Sequence, residues 1–201
     1  MKKLILVLIL IISITGISSA VDLLSFPGAI KPGDTIVNVG FTFGHDFLSG
    51  PCFGVTGSAD YALDINFPLT VGGETGIVFT PVRSSGYESM VIIPFMGRAA
   101  WHPDIELENV DLYAMVKLGF AIGFITNPRP DSVYSMAGGF CFAGIIGGRY
   151  FLSETIGLFA EVGYEQYYLP FTDTFQGVPL ARYTITARFL TLGLTFRITN
   201  D

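Results

Sequence analysis

The chain has 201 residues, half of them hydrophobic and only 14% charged, with a formal net charge of −6. That acidic balance argues against nucleic acid, which is bound by clustered Lys and Arg, and the length suits a single domain. A positive mean hydropathy of +0.55 is high for a soluble exported domain.

Residues 1–20 read as a secretory signal peptide. Lys2 and Lys3 form the basic start, Leu4 to Ile12 is an unbroken apolar run, and Ser18-Ser19-Ala20 is a small-residue cleavage site. The run is too short for a bilayer-spanning helix, which needs about 20 residues. The residue directly after the cut site is Val21 rather than cysteine, which argues against a lipoprotein anchor. Residues 21–34, with Pro27, Gly28, Pro32 and Gly33, read as an irregular lead-in.

Eight strand-length segments follow over residues 35–201. The first is Thr35 to Gly44, then a loop containing His45, Asp46, Gly50, Pro51 and Gly54. The second is Ser58 to Phe67, and a tight turn at Pro68 leads to the third, Thr70 to Phe79. The fourth is Ser89 to Trp101, where Pro94 lacks a ladder donor and predicts a bulge. The fifth is Leu112 to Phe124, the sixth Ala137 to Phe151, the seventh Ile156 to Tyr168 and the eighth Tyr183 to Ile198. Connections alternate long and short, with Leu169 to Arg182 the longest.

The fifth segment sets the fold class. Leu112, Ala114, Val116, Leu118, Phe120, Ile122 and Phe124 share one parity, and Tyr113, Met115, Lys117, Gly119, Ala121 and Gly123 share the other. A strand alternates faces with period two, so one whole face is oil-soluble while the other is small or polar. A soluble barrel would carry Lys, Glu and Thr on its outer face. The pattern predicts an all-β, eight-stranded antiparallel up-and-down transmembrane β-barrel, greasy side out, with both ends periplasmic and four outer loops. Eight strands leave a lumen that side chains just fill, and many of the 24 glycines are expected to make room there for a few long charged residues. Aromatics near strand ends, Phe79, Tyr87, Trp101, Tyr113, Tyr150, Tyr164 and Tyr168, suit interfacial girdles, although the β-propensity of aromatics explains part of them.

The inner parity collects Asp60, Asp64, Glu74, Glu161 and Glu165 with Arg98, Lys117, Arg149 and Arg197. Buried charges must be paired, so these predict a ladder of salt bridges that plugs the lumen; an ion path along the same residues is the alternative. A disulfide between Cys52 and Cys141 would pin the first outer loop over the mouth in an oxidising compartment, and two unpaired thiols are the other reading. His45, Asp46 and Ser49 lie close together at the outer rim, where a lipid-modifying enzyme could hold a site, but such residues are common in turns. His102, before Pro103, reads as a cap or an interfacial residue. Metal-site spacing, a phosphate loop and a nucleophile elbow do not appear, so neither cofactor, metal nor catalytic residue is expected.

Three segments carry a family resemblance: Asp111-Leu112-Tyr113-Ala114, Gly144 to Tyr150 (GIIGGRY) and Phe159 to Tyr164 (FAEVGY), together with the alternating last strand. Through them the chain resembles the small bacterial outer-membrane barrels related to OmpA, OmpX and the opacity proteins. The resemblance implies residence in outer-membrane lipid and handling by the barrel assembly machinery. Such proteins usually end on an aromatic residue, whereas here Phe196 is followed by Arg-Ile-Thr-Asn-Asp. It also implies a role in adhesion, envelope stability or contact with a host surface or extracellular ligand through the outer loops. A structural or surface-interaction protein is therefore the leading expectation. A narrow porin-like channel is the second, followed by a lipid-modifying enzyme and a soluble lipid-binding barrel. Detergent-free solubility of the mature chain would sink the membrane reading.

Overall fold

The computed structural model describes residues 29–46, 50–81, 89–103, 107, 109–126, 136–170, 173–175, 178–180 and 183–199. The signal-peptide segment 1–20 and the first part of the lead-in lie outside the described residues. The strands are β1 (Thr35–Asp46), β2 (Gly50–Ala62), β3 (Leu69–Pro81), β4 (Ser89–Trp101), β5 (Val110–Thr126), β6 (Met136–Phe151), β7 (Ile156–Leu169), β8 (Asp173–Phe175), β9 (Val178–Leu180) and β10 (Tyr183–Ile198). Eight of them close into an antiparallel barrel in the order β1-β10-β7-β6-β5-β4-β3-β2, while β8 and β9 form a separate two-stranded hairpin. Every barrel strand pairs with its neighbours in sequence, and β1 closes the ring against β10 with Thr35 opposite Ile198. Closure leaves no open sheet edge in the wall.

The alternation turns the barrel inside out relative to a soluble one. Val116 is 65% exposed and Ile146 68% exposed, with Phe41, Leu118, Val162 and Leu192 on the same outer surface. Arg98, Lys117, Arg149 and Glu161 are buried in the lumen. On β5 the outward apolar residues run from Leu112 to Phe124. At about 3.4 Å per residue and a tilt of about 40°, they form a band about 30 Å tall, close to the hydrocarbon thickness of a bilayer.

Three expectations are corrected. The second strand begins at Gly50 rather than Ser58, so Pro51 and Gly54 belong to the wall and the first far-end connection shrinks to residues 47–49. Pro94 makes no bulge: the β3–β4 register is the same on both sides of it, from Thr75 opposite Phe95 to Val78 opposite Ile92. The ladder skips the intervening pairs, and the Thr75 hydroxyl donates to the Pro94 carbonyl at 2.9 Å. Losing one donor thus costs a local pairing and no extra residue. The longest connection also carries the β8–β9 hairpin, which residues 169–182 did not announce.

Candidate functional site

The lumen is layered. At the end away from the termini, Cys52, Met90, Ile92, Cys141, Leu169 and Phe189 belong to one buried apolar cluster. At the terminal end, Ala29, Ile30, Ile36, Ala62 and Phe151 form another. Between them lies a single connected set of charges.

Arg98 is its hub. Its Nη1 lies 2.6 Å from Glu74 Oε2, its Nη2 3.0 Å from Glu161 Oε1, and its Nε 3.2 Å from Asp60 Oδ1. The last is an ion pair off the line of the N–H, without hydrogen-bond geometry. Lys117 Nζ bridges Glu74 Oε1 at 2.8 Å and Glu165 Oε1 at 3.2 Å, with Glu161 Oε2 at 3.7 Å. Tyr113 donates to Glu161 at 2.8 Å and Tyr167 to Glu165 at 2.6 Å. Nearer the termini, Arg149 pairs with Asp111 at 2.5 Å and Asp60 at 3.4 Å, and its guanidinium lies 4.2 Å from the centre of the Tyr113 ring. Asp111 also meets His102 Nδ1 at 2.7 Å, and His102 Nε2 meets the Thr70 hydroxyl at 2.9 Å. Asp60, Glu74 and Glu161 are each shared between two cations, while Glu165 pairs with Lys117 and Asp111 with Arg149.

Register shows how the sequence builds this. Asp60, Gly72 and Arg98 face one another on β2, β3 and β4. A Cβ on Gly72 would lie 2.1 Å from Ala59 O and 2.4 Å from Asp60 Oδ1. Tyr113, Gly147 and Glu161 repeat the arrangement on β5, β6 and β7, where a Cβ on Gly147 would lie 2.7 Å from the Tyr113 hydroxyl. Glycines thus stand between long side chains and open the space in which they meet. Gly72→Ala is expected to displace Asp60 and to lower stability by about 1–3 kcal/mol. A urea titration of the refolded barrel in lipid vesicles checks this, and an unchanged midpoint would refute the packing argument.

Of the residues singled out in the sequence, Asp60, Glu74, Arg98, Lys117, Arg149, Glu161 and Glu165 come together here. Asp64 does not. The chain leaves the wall after Ala62, Leu63 N–H turns back to Leu69 O, and Asp64 is exposed in that turn because alternation ends with the strand. Arg197 has the inward parity but sits beyond the charged rows, bonding Glu154 O at 2.7 Å and the Ala29 carbonyl. Cys52 and Cys141 are both buried and are not bridged to each other. They stand on β2 and β6, opposite walls with three strands between them either way. At about 4.8 Å per strand step, that span exceeds the roughly 7 Å within which Cα atoms can be bridged. His45 is exposed at the end of β1, only the backbone of Asp46 is described, and Ser49 lies outside the described residues.

Sequence reasoning missed Asp111, His102, Tyr113 and Tyr167. The alternation already puts Tyr113 on the inward parity of β5 and Tyr167 on that of β7, although Tyr113 also reads as a girdle aromatic, and Asp111 stands one residue before the expected fifth segment, so extending the alternation by one residue finds it. His102 follows the last residue of β4, where no parity rule reaches it. Among the described residues no cluster of His, Cys, Asp and Glu is arranged to hold a metal.

A closed eight-stranded wall with an apolar exterior and a charge-filled core defines a class, the small eight-stranded outer-membrane barrels, and the chain has their fold. No protein-family profile and no curated protein matches it. Solved structures do. Neisserial surface protein A aligns at 13% identity over 85% of this chain and 98% of its own, with a TM-score of 0.52. OprG from Pseudomonas aeruginosa aligns at 10% identity over 87% and 100%, with a TM-score of 0.51. Ail, the attachment invasion locus protein of Yersinia pestis, in complex with the heparin analogue sucrose octasulfate, aligns at 15% identity over 84% and 100%, TM-score 0.51. At such identities the likeness is one of fold.

Proposed function

We propose that this chain is an integral barrel of the bacterial outer membrane, exported by its signal peptide and inserted by the barrel assembly machinery. In this reading it is a plugged scaffold with a structural or surface-interaction role, presenting its four far-end connections to the cell exterior. The observation that carries the proposal is the buried charge network lying between two buried apolar clusters in the lumen. A permeating ion would have to cross an apolar layer at each end and break a network in which Arg98 alone touches three carboxylates. Those barriers count against a narrow channel, and function then falls to the loops, where fold alone decides little.

The loop composition narrows the contact. Arg83, Arg129 and Arg182 are offset by Asp46, Glu88, Asp131 and Asp173, while Phe47, Tyr87, Tyr134, Phe171 and Phe175 supply aromatics. A sulfated ligand such as the one in the Ail complex needs a positive excess, and these segments have none. An uncharged or mixed protein or glycan surface suits them better, with aromatics as anchors.

Conductance tests the reading. Refolded, heat-modifiable barrel in planar bilayers is expected to stay silent, and so are Arg149→Ala and Glu161→Ala wherever they still fold. Steady openings altered by those variants would overturn the scaffold and establish the narrow channel.

A further inference from the structure

We infer that residues 29–34 are a releasable floor strap, latched by Arg197, that separates the charged chamber from the terminal side of the barrel. The inference goes beyond the scaffold role and holds whichever surface the loops contact.

The strap is built locally. Lys31-Pro32-Gly33-Asp34 is a tight turn: Asp34 N–H donates to Lys31 O at 3.1 Å and the Asp34 carboxylate accepts Lys31 N–H at 2.8 Å. Gly33 has φ +89°, the left-handed conformation glycine adopts without strain, one residue after a proline that presets the turn. Two backbone bonds tie the turn to the end of β2, Gly33 N–H to Ala62 O and Ala62 N–H to Asp34 O, each 2.9 Å. The turn sends Ala29 and Ile30 back beneath the lumen, where both are buried with Ile36, Ala62 and Phe151.

The latch comes from the other end of the chain. Arg197 shares the inward parity of Thr191 and Thr195 but lies past the last charged row, facing Ile36 across the β1–β10 seam. Its Nη1 donates to the Ala29 carbonyl and its Nε to Glu154 O at 2.7 Å, while the guanidinium carbon sits 5.0 Å from the centre of the Phe151 ring. One planar group therefore joins the strap, the β6–β7 turn and the closing strand, a task that suits the fixed donor fork of Arg. Neither contact belongs to the barrel ladder, so the floor can open while the wall stays closed. Above it lie Asp60, Asp111, His102 and Arg149, which gain access to water on that side when the strap is out.

The test places a reporter under the floor. Ala62→Cys is introduced with Cys52→Ala and Cys141→Ala, and labelling by a membrane-impermeant maleimide is timed in the refolded barrel. Slow labelling is expected with Arg197 in place, at least tenfold faster labelling in Arg197→Ala, and an intermediate rate in Arg197→Lys, which reaches one carbonyl but not two. Ile30→Ser loosens the strap without touching the closing strand, and the same acceleration is expected. If Arg197→Ala loses heat-modifiability, the Ile30→Ser arm decides. Unchanged labelling in every heat-modifiable variant would overturn the latch.

Discussion

Arg149→Met is expected to destabilise the barrel by about 3–5 kcal/mol, the range found when one member of a buried ion pair is removed. The Arg149 side chain is fully buried, and among the described residues it is the one Arg or Lys paired with Asp111. Methionine fills similar volume, so most of the loss comes from stranded carboxylates rather than from a cavity. The check is a urea titration followed through Trp101, the only tryptophan, at the terminal end of β4. Adding Asp60→Asn and Asp111→Asn to Arg149→Met is expected to recover most of the loss, because neutral amides leave no uncompensated charge. If the triple variant is as unstable as the single one, Arg149 acts instead through its stacking on the Tyr113 ring and the hydrogen bond its Nε donates to Asn38 Oδ1 at 3.4 Å. An unshifted midpoint for the single variant would mean that water reaches the chamber and the two apolar seals leak.

The fold was legible because alternation is a local rule that persists. On β4 and β10 the expected ends match the strands, and on β5 to β7 they fall within two residues. The rule failed where glycine and proline crowd the start of β2: Gly50, Pro51 and Gly54 mark a loop in most contexts, yet here they lie in the wall, with Gly54 giving the close approach to Ile77 and Val78 that a Cβ would block. The charge network was legible as a set of inward residues, since parity alone gathers them. Its partners were not, because which carboxylate meets which cation depends on the register between strands, and no single strand encodes that. Asp64 and Arg197 show the limit from the other side: both continue the inward parity of their strands, but Asp64 lies beyond the last residue of β2 and Arg197 one residue before the end of β10. At a strand end parity no longer implies the lumen.

The second large effect lies on the outer wall. Val116→Arg, near the middle of β5, is expected to cost about 2–4 kcal/mol in lipid vesicles, the depth-dependent penalty for a cation at the bilayer midplane. Leu152→Arg, in the β6–β7 turn, is expected to cost about 0–1 kcal/mol because its guanidinium reaches the interface. The two leucine-or-valine positions are alike in a dry reading, 65% exposed for Val116 and 63% for Leu152. On a water-facing surface both substitutions would stay within about 0.5 kcal/mol. The difference between them therefore measures the solvent rather than the protein. A steep gradient from Val116 to Leu152 locates hydrocarbon against the greasy parity. Equal, small costs would put that face in water, and the outer-membrane assignment would fall with it, whereas the lumen network, which depends only on what the wall encloses, would stand.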